Sequence, residues 1–459
     1  MKEFGDLMAN ENEFDLIIQN ADLVLSNPDN PSNFKIEKMD LGIKNGQISS
    51  LGTLSNLPTK EKFQGKGLTI LPGLIDTQVH FREPGLEHKE TIEMGSRSAV
   101  AGGITGFFEM PNTNPATLTK QDLERKIHIA ENTSYCDFAF YMGAAQKNVQ
   151  NLAALEKLPG CCGVKVFMGS STGSLLVDND DLLRQVLENT HRRIAVHCED
   201  EPRLKERKYI AQNSNGDVSK HEEWRDEETA LLATQRLVRL AKPMNHPIHI
   251  LHISTQQEME FLKTEKTGDL ITVEVLPQHL SLESPDCYVN LGTKAQMNPP
   301  IRNTKHRQAL WKALQAKVVD VIGSDHAPHT LEEKSKTYPE TPSGMPGVQT
   351  TLPVLLNHMH RGHIGLTDIV RLMAVNPSRI FGIRGRGFIA PKYEASLTIV
   401  DLNKEMTIEN QWIESKSHWT PFHGQKVKGW PIATLVRGQF AMRDGVLSKV
   451  PTQAFEFQK

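Results

Sequence analysis

Cysteine is scarce: 5 in 459 residues, with no CxxC pair among them. That speaks against a disulfide scaffold and fits a reducing, cytoplasmic setting. Cys136, Cys161, Cys162, Cys198 and Cys287 sit near apolar runs and are expected only to pack. No stretch of about 18 apolar residues occurs, so no membrane-spanning helix is expected. The opening MKEFGDLMANENEFD is acidic and has no apolar centre, unlike a signal peptide. An excess of one charge is missing too: 52 basic against 55 acidic side chains leave a net charge of −3. A broad basic surface for nucleic acid is therefore not expected. What the chain does have is histidine, 18 of them, and the question is whether they are scattered or organised.

The chain falls into three zones. The first 67 residues read as strands: FDLIIQNADLVLS stops at Asn27-Pro28, and LGIKNGQISSLG carries a hairpin turn at Asn45-Gly46. From 68 to 387, short apolar runs alternate with longer amphipathic ones. The runs are TILPGLIDTQVHF, ITGFFEM, CDFAFYM, GVKVFM, RIAVH, IHILH, ITVEVL and VVDVIGS. Helices are predicted between them over 89–101, 119–132, 148–157, 179–189, 222–241, 255–266 and 304–316. Eight strand–helix units predict an α/β fold with a closed (β/α)8 barrel, an open doubly wound sheet being the alternative. From 388 strand character returns in ASLTIVDL, KEMTI, ATLVRG and FAMRDGVL, with a second hairpin turn at Asp444-Gly445. The two β-rich ends, 1–67 and 388–459, are expected to join into one small β-domain. The stretch 327–350 is a long polar loop, of the length that usually serves function or is disordered.

Polar residues gather where the predicted barrel strands end: Asp76, Gln78 and His80 on the first, Lys165 on the fourth, His197 on the fifth, His252 on the sixth, Asp325 on the eighth. The C-terminal face is where such barrels carry their active sites. Singly, each residue has an ordinary explanation: a structural histidine, a snorkelling lysine, a turn-capping aspartate. Jointly, imidazole nitrogens and carboxylate oxygens suit Zn²⁺ and related metals. A metal there makes bound water acidic and polarises a carbonyl, and Asp325 is placed to act as base and then acid. The class implied is metal-assisted hydrolysis of an amide or ester. Lys165 does not fit that set, because an ammonium cannot ligate.

The stretches LPGLIDTQVHFREPG, AGGIT, MPNTNP, GVKVFMGSSTG, AVHCEDE, ILHIST, MNPPIR, GSDHAPH, GMPGVQT, NPSRIFG and TPFHGQKVKGW together resemble the amidohydrolase superfamily, and within it the dihydroorotases. The resemblance spans nearly the whole chain. It implies a (β/α)8 barrel with a β-sandwich built from both chain ends, and reversible hydrolysis of (S)-dihydroorotate to N-carbamoyl-L-aspartate in pyrimidine synthesis. It also accounts for Lys165, which in relatives is carboxylated by CO₂ to a carbamate bridging two metals, usually zinc. By the same resemblance His80 binds one metal, His197 and His252 the other, and Asp325 is ligand and proton shuttle. Arg82, Asn112, Asn298, His329 and the backbone at Pro346-Gly347 are implied as substrate contacts. Arg offers a two-pronged match to the substrate carboxylate, where allantoinases usually carry Asn.

The sequence departs from the family at one position. Where relatives begin the site with His-x-His, this chain has Gln78-Val79-His80. An amide oxygen is a poorer zinc ligand than imidazole, so either one or two Zn²⁺ per subunit is expected. Two alternatives follow: another cyclic amidohydrolase such as an allantoinase or hydantoinase, and a non-catalytic scaffold for aspartate transcarbamoylase. Relatives are often homodimers, which is the assembly expected here.

Overall fold

A computed structural model describes residues 13–169 and 175–458. The first 12 residues and the Ser170–Gly173 part of the GVKVFMGSSTG motif lie outside the described residues. The head of the chain forms β1 (Phe14–Asn27), β2 (Asn30–Lys44), β3 (Gln47–Gly52), β4 (Thr59–Gln64) and β5 (Thr69–Pro72). The barrel strands are β6 (Leu74–Val79), β7 (Ile104–Glu109), β8 (Asp137–Gly143), β9 (Cys161–Phe167), β10 (Ile194–His197), β11 (Ile248–Ile250), β12 (Ile271–Val275) and β13 (Val321–Ile322). The tail adds β14 (Leu397–Thr407), β15 (Lys426–Val436), β16 (Gln439–Arg443) and β17 (Val446–Leu447).

Strands β6 to β13 form one parallel sheet in sequence order. The ring closes through a parallel bridge between Val79 and His326, with His80 N–H donating to His326 O at 2.7 Å. Inside, Ile75, Phe108, Tyr141, Ala195, Leu251 and Val321 pack as one buried cluster, so the barrel is filled rather than hollow. The remaining strands form a nine-stranded sheet that joins head to tail through β5 and β14. Phe63 of β4 and Phe440 of β16 lie far apart in the strand order, yet their rings meet at 5.4 Å. The sheet therefore folds over its own core. Both expected hairpin turns are present, with Asn45, Gly46, Asp444 and Gly445 all at positive φ, the conformation a two-residue turn of this kind demands.

Sheet membership does not follow the expected limits of 67 and 388. β5 lies beyond residue 67 yet pairs with β1 and β14, so the barrel begins at Leu74. At the other end, Ala454 and Phe457 bridge back to Phe138 and Ile383 instead of extending the terminal sheet.

Most helices start where a side chain can cap them. Thr91, Thr119, Asn179, Asp200, Asp226, Thr255 and Asn303 each accept a hydrogen bond from a backbone N–H of the first turn. The helix expected over 222–241 is two, Lys220–Trp224 and Glu227–Ala241, divided at Asp226. The expected loop 327–350 contains a short helix, Leu331–Lys334, closed by a reciprocal Thr330–Glu333 capping box. Among the described residues no helix is long and apolar enough to cross a membrane.

Candidate active site

A cavity of about 670 Å³ opens at the C-terminal ends of the barrel strands. Gln78, His80, Arg82, Asn112, Lys165, His197, His252, Asn298, Asp325 and His329 all line it, so ten of the residues singled out from sequence come together. Pro346 and Gly347 do not. Gly347 N–H donates instead to His326 Nδ1 at 3.1 Å. The loop lining the cavity is Pro342, Ser343 and Gly344. Asp76 also stays out of the cavity; its Oδ1 accepts from Gln78 N–H and Ser324 N–H, both at 3.1 Å, tying the first strand to the last.

The donors stand as two pairs. On one side, His80 Nδ1 is 2.8 Å from Asn112 Oδ1, which can only accept, so Nδ1 carries the hydrogen. Burial holds His80 below its ordinary pKa, against the pull of Asp325. Its Nε2 lone pair then faces Asp325 Oδ1 at 3.1 Å. Two acceptors at that separation call for a positive charge between them. Gln78 supplies none: its neutral amide N–H donates to the same Oδ1 at 3.0 Å, while its buried Oε1 has no partner among the described residues. On the other side, His197 Nδ1 and His252 Nε2 meet at 3.0 Å. His197 Nε2 lies 2.9 Å from Glu199, a carboxylate held by Arg225. Burial raises Glu199, but Arg225 and His197 outweigh it and keep it well below the usual carboxylate range. Among the described residues no three His, Cys, Asp or Glu side chains close into a metal-binding group.

Lys165 sits on β9 at the same wall, buried, with its ammonium 4.6 Å from the centre of the Phe167 ring. Burial pushes it down to about 7. Arg82 is buried in the same cavity. Its Nε donates to Pro328 O at 3.3 Å and Nη2 approaches His329 Nε2 at 3.3 Å; among the described residues no carboxylate pairs with it. Burial brings it down to about 10, still charged at neutral pH. His329 Nε2 is 3.0 Å from Ser343 O and its Nδ1 3.1 Å from Lys89 Nζ. Burial and the Arg82 charge bring it down to about 3.

Three of these residues hold strained backbones: Arg82, His252 and Asp325 have φ of 65°, 39° and 44°. A non-glycine residue there costs of order 1–3 kcal/mol, the kind of strain that clusters at functional sites. Sequence reasoning passed over several supporting groups. Lys89 and Thr113 line the cavity. Glu274, raised to about 8 by burial, accepts from Thr77 and from His252 N–H beneath it. Trp419 Nε1–H donates to His329 O at 2.9 Å from beyond the barrel. The one signal available for Lys89 was its place in the FREPGLEHKE stretch, seven residues past Arg82.

The chain is similar to known proteins along most of its length. A model of the Amidohydrolase family matches residues 69–441. A dihydroorotase of Pyrococcus furiosus is 36% identical over 411 residues, covering 88% of this chain and 89% of the relative. One of Methanothermobacter thermautotrophicus is 34% identical over 409 residues, covering 89% and 91%. Among solved structures, an L-hydantoinase (dihydropyrimidinase) from Arthrobacter aurescens superposes with a TM-score of 0.90 at 27% identity, covering 96% of this chain and 99% of that one. A D-hydantoinase from a Thermus species reaches 0.85 at 24% identity and shares the fold. With the family model running through the barrel into the terminal sheet, and relatives above 30% identity along nearly nine-tenths of its length, the chain belongs to the amidohydrolase family.

Proposed function

We propose that the chain is a dihydroorotase, reversibly hydrolysing (S)-dihydroorotate to N-carbamoyl-L-aspartate. The carrying observation is Arg82: a buried guanidinium in the cavity with no carboxylate partner among the described residues. An unpaired buried cation is costly, and an anionic ligand relieves the cost. Dihydroorotate brings a carboxylate; hydantoin and allantoin do not. The names of the archaeal relatives point the same way.

The donor set suits one or two divalent cations. The facing acceptors of His80 and Asp325, and the paired nitrogens of His197 and His252, are the observations that fit. We assign His80, His197, His252 and Asp325 as the groups that would hold the metal, with zinc the ion best matched to nitrogen and oxygen donors. Lys165 joins them once carboxylated. At about 7, a large share of its side chain is the free amine at neutral pH, the form that adds CO₂, forming an N–C bond and releasing a proton. When bound, the metal makes water a better nucleophile and polarises the amide carbonyl.

The chain's own residues do the rest. Arg82 takes the substrate carboxylate, with Asn112 and His329 beside it. Asp325 accepts the proton of the attacking water and returns it to the ring nitrogen as the C–N bond breaks. In ring closure the same group works in reverse.

The test is a pair of substrates. Arg82→Ala should lower kcat/KM for dihydroorotate by about a hundredfold or more, the scale of a lost buried charge pair, and leave a neutral cyclic ureide far less affected. Equal losses on both would sink the assignment of Arg82 and, with it, the substrate.

A further inference from the structure

His221 lies outside the cavity, buried behind Asn298, with no role in the chemistry above. It belongs to the short helix Lys220–Trp224, and its ring stands edge-on to Trp224 and Tyr338, at 5.9 and 5.6 Å. Its Nε2 is 3.0 Å from Met297 O and 2.9 Å from Asn298 Oδ1. Met297 O is a backbone carbonyl and can only accept, so Nε2 must carry the hydrogen. Whatever atom of Asn298 lies 2.9 Å from that N–H must accept as well, which makes it the amide oxygen. Nδ1 of His221 is buried without a partner among the described residues, so the ring has no second hydrogen to give. The Asn298 amide is thereby fixed in one sense: oxygen inward on His221, NH₂ on the side left for the cavity that Asn298 lines.

We infer that His221 is a positioning residue that sets the polarity of Asn298, so that Asn298 meets the substrate only as a donor, to a ring carbonyl oxygen and not to a ring N–H. A free asparagine could turn over and serve either. Pinned in this way it distinguishes a ureide or imide ring, which offers carbonyl oxygens, from a ring of like shape offering only donors at that place. The inference uses the dihydroorotase reading only to name the ring; any cyclic ureide substrate carries the carbonyl it needs.

The experiment is a double-mutant cycle on the full chain, read as KM and kcat separately, with dihydroorotate, dihydrouracil and hydantoin as substrates. His221→Phe keeps the ring and removes the donor. It should raise KM about tenfold, the scale of one hydrogen bond to a substrate, with kcat changed much less. In an Asn298→Ala background the same change should add less than about twofold to KM, because the partner is gone. His221→Gln, which retains an N–H donor, should recover most of the affinity. Additive effects of His221→Phe and Asn298→Ala would overturn the proposal, as would an unchanged KM in His221→Phe. Asn298→Asp leaves His221 in place and guards against a variant that does not fold: its carboxylate can only accept, so KM should rise more than in Asn298→Ala. If Asn298→Asp binds as well as wild type, the polarity is wrong. Turnover of dihydrouracil or hydantoin without dihydroorotate would remove the substrate reading and leave the cycle to judge His221. Turnover of none of the three would overturn both.

Discussion

At residue scale the site is a set of side chains whose protonation is decided by neighbours. His80 is fixed by Asn112 and His329 by Ser343 and Lys89, while His197 Nε2 faces the Glu199 carboxylate at 2.9 Å. The histidines themselves were legible in the sequence, because an apolar strand that ends in a polar residue marks the barrel face. Their partners were not. Glu199 lies two residues past His197 and reads as part of an acidic loop; only its burial against Arg225 gives it a task. Pro346 and Gly347 do not line the cavity: a backbone contact depends on the path of the loop, which side-chain chemistry does not dictate. Position 78 is the residue whose role is most open to measurement. In Gln78→His an imidazole replaces an amide that now donates to Asp325. Imidazole is the stronger ligand, so the variant should retain more zinc than wild type after dialysis against a chelator, counted by mass spectrometry of the metal. Equal retention would place position 78 outside the ligand set.

At the scale of elements, periodicity located all eight barrel strands and, of the longer helices, all but Glu201–Gln212 and Thr351–His360. It failed where the period was weak. The helix Glu201–Gln212 buries only Leu204, Ile210 and Ala211, so its sequence shows no apolar stripe. The predicted helix over 222–241 ran through Asp226, whose side chain caps Glu227–Ala241 by accepting from Thr229 N–H at 3.0 Å and also pairs with Arg203. Burial would raise Asp226, but Arg203 and Thr229 overcome it and bring it down to about 2. A carboxylate held below its unfolded value stabilises the fold above the unfolded pKa and loses that effect as pH falls through the folded one. The window for Asp226 therefore lies between about pH 4 and pH 2. Asp226→Asn keeps a good cap and removes the charge. Its melting temperature should lie below wild type at neutral pH, and the gap should narrow as pH drops below about 4. A gap that stays constant down to acid unfolding would mean the Arg203 pair contributes nothing.

At the scale of the whole molecule, four separate stretches meet beneath the barrel. Asp137, at the start of β8, is buried and pairs with Arg386 and with Arg437, which follows β15; Gln453 N–H donates to it at 2.8 Å. From there the tail runs under the barrel, Phe455 N–H donating to Phe138 O at 2.9 Å. The rings of Phe455 and Phe457 lie 5.7 and 5.9 Å from that of Phe108, at the centre of the interior cluster. So the tail, which reads from sequence as more of the terminal β-domain, instead closes the end of the barrel opposite the cavity. The contact is close: a methyl group at Gly106 would lie 2.2 Å from the Phe455 ring. Emptying it should cost stability without touching chemistry. Phe455→Ala removes a buried aromatic, a change worth about 3–5 kcal/mol in well-packed cores. Calorimetry should show a clear fall in melting temperature, while KM for dihydroorotate at 25 °C stays within about twofold of wild type, because the cavity residues sit on the opposite strand ends. A variant that melts like wild type but loses affinity for substrate would show that the two ends of the barrel are coupled, and that the tail helps to shape the site.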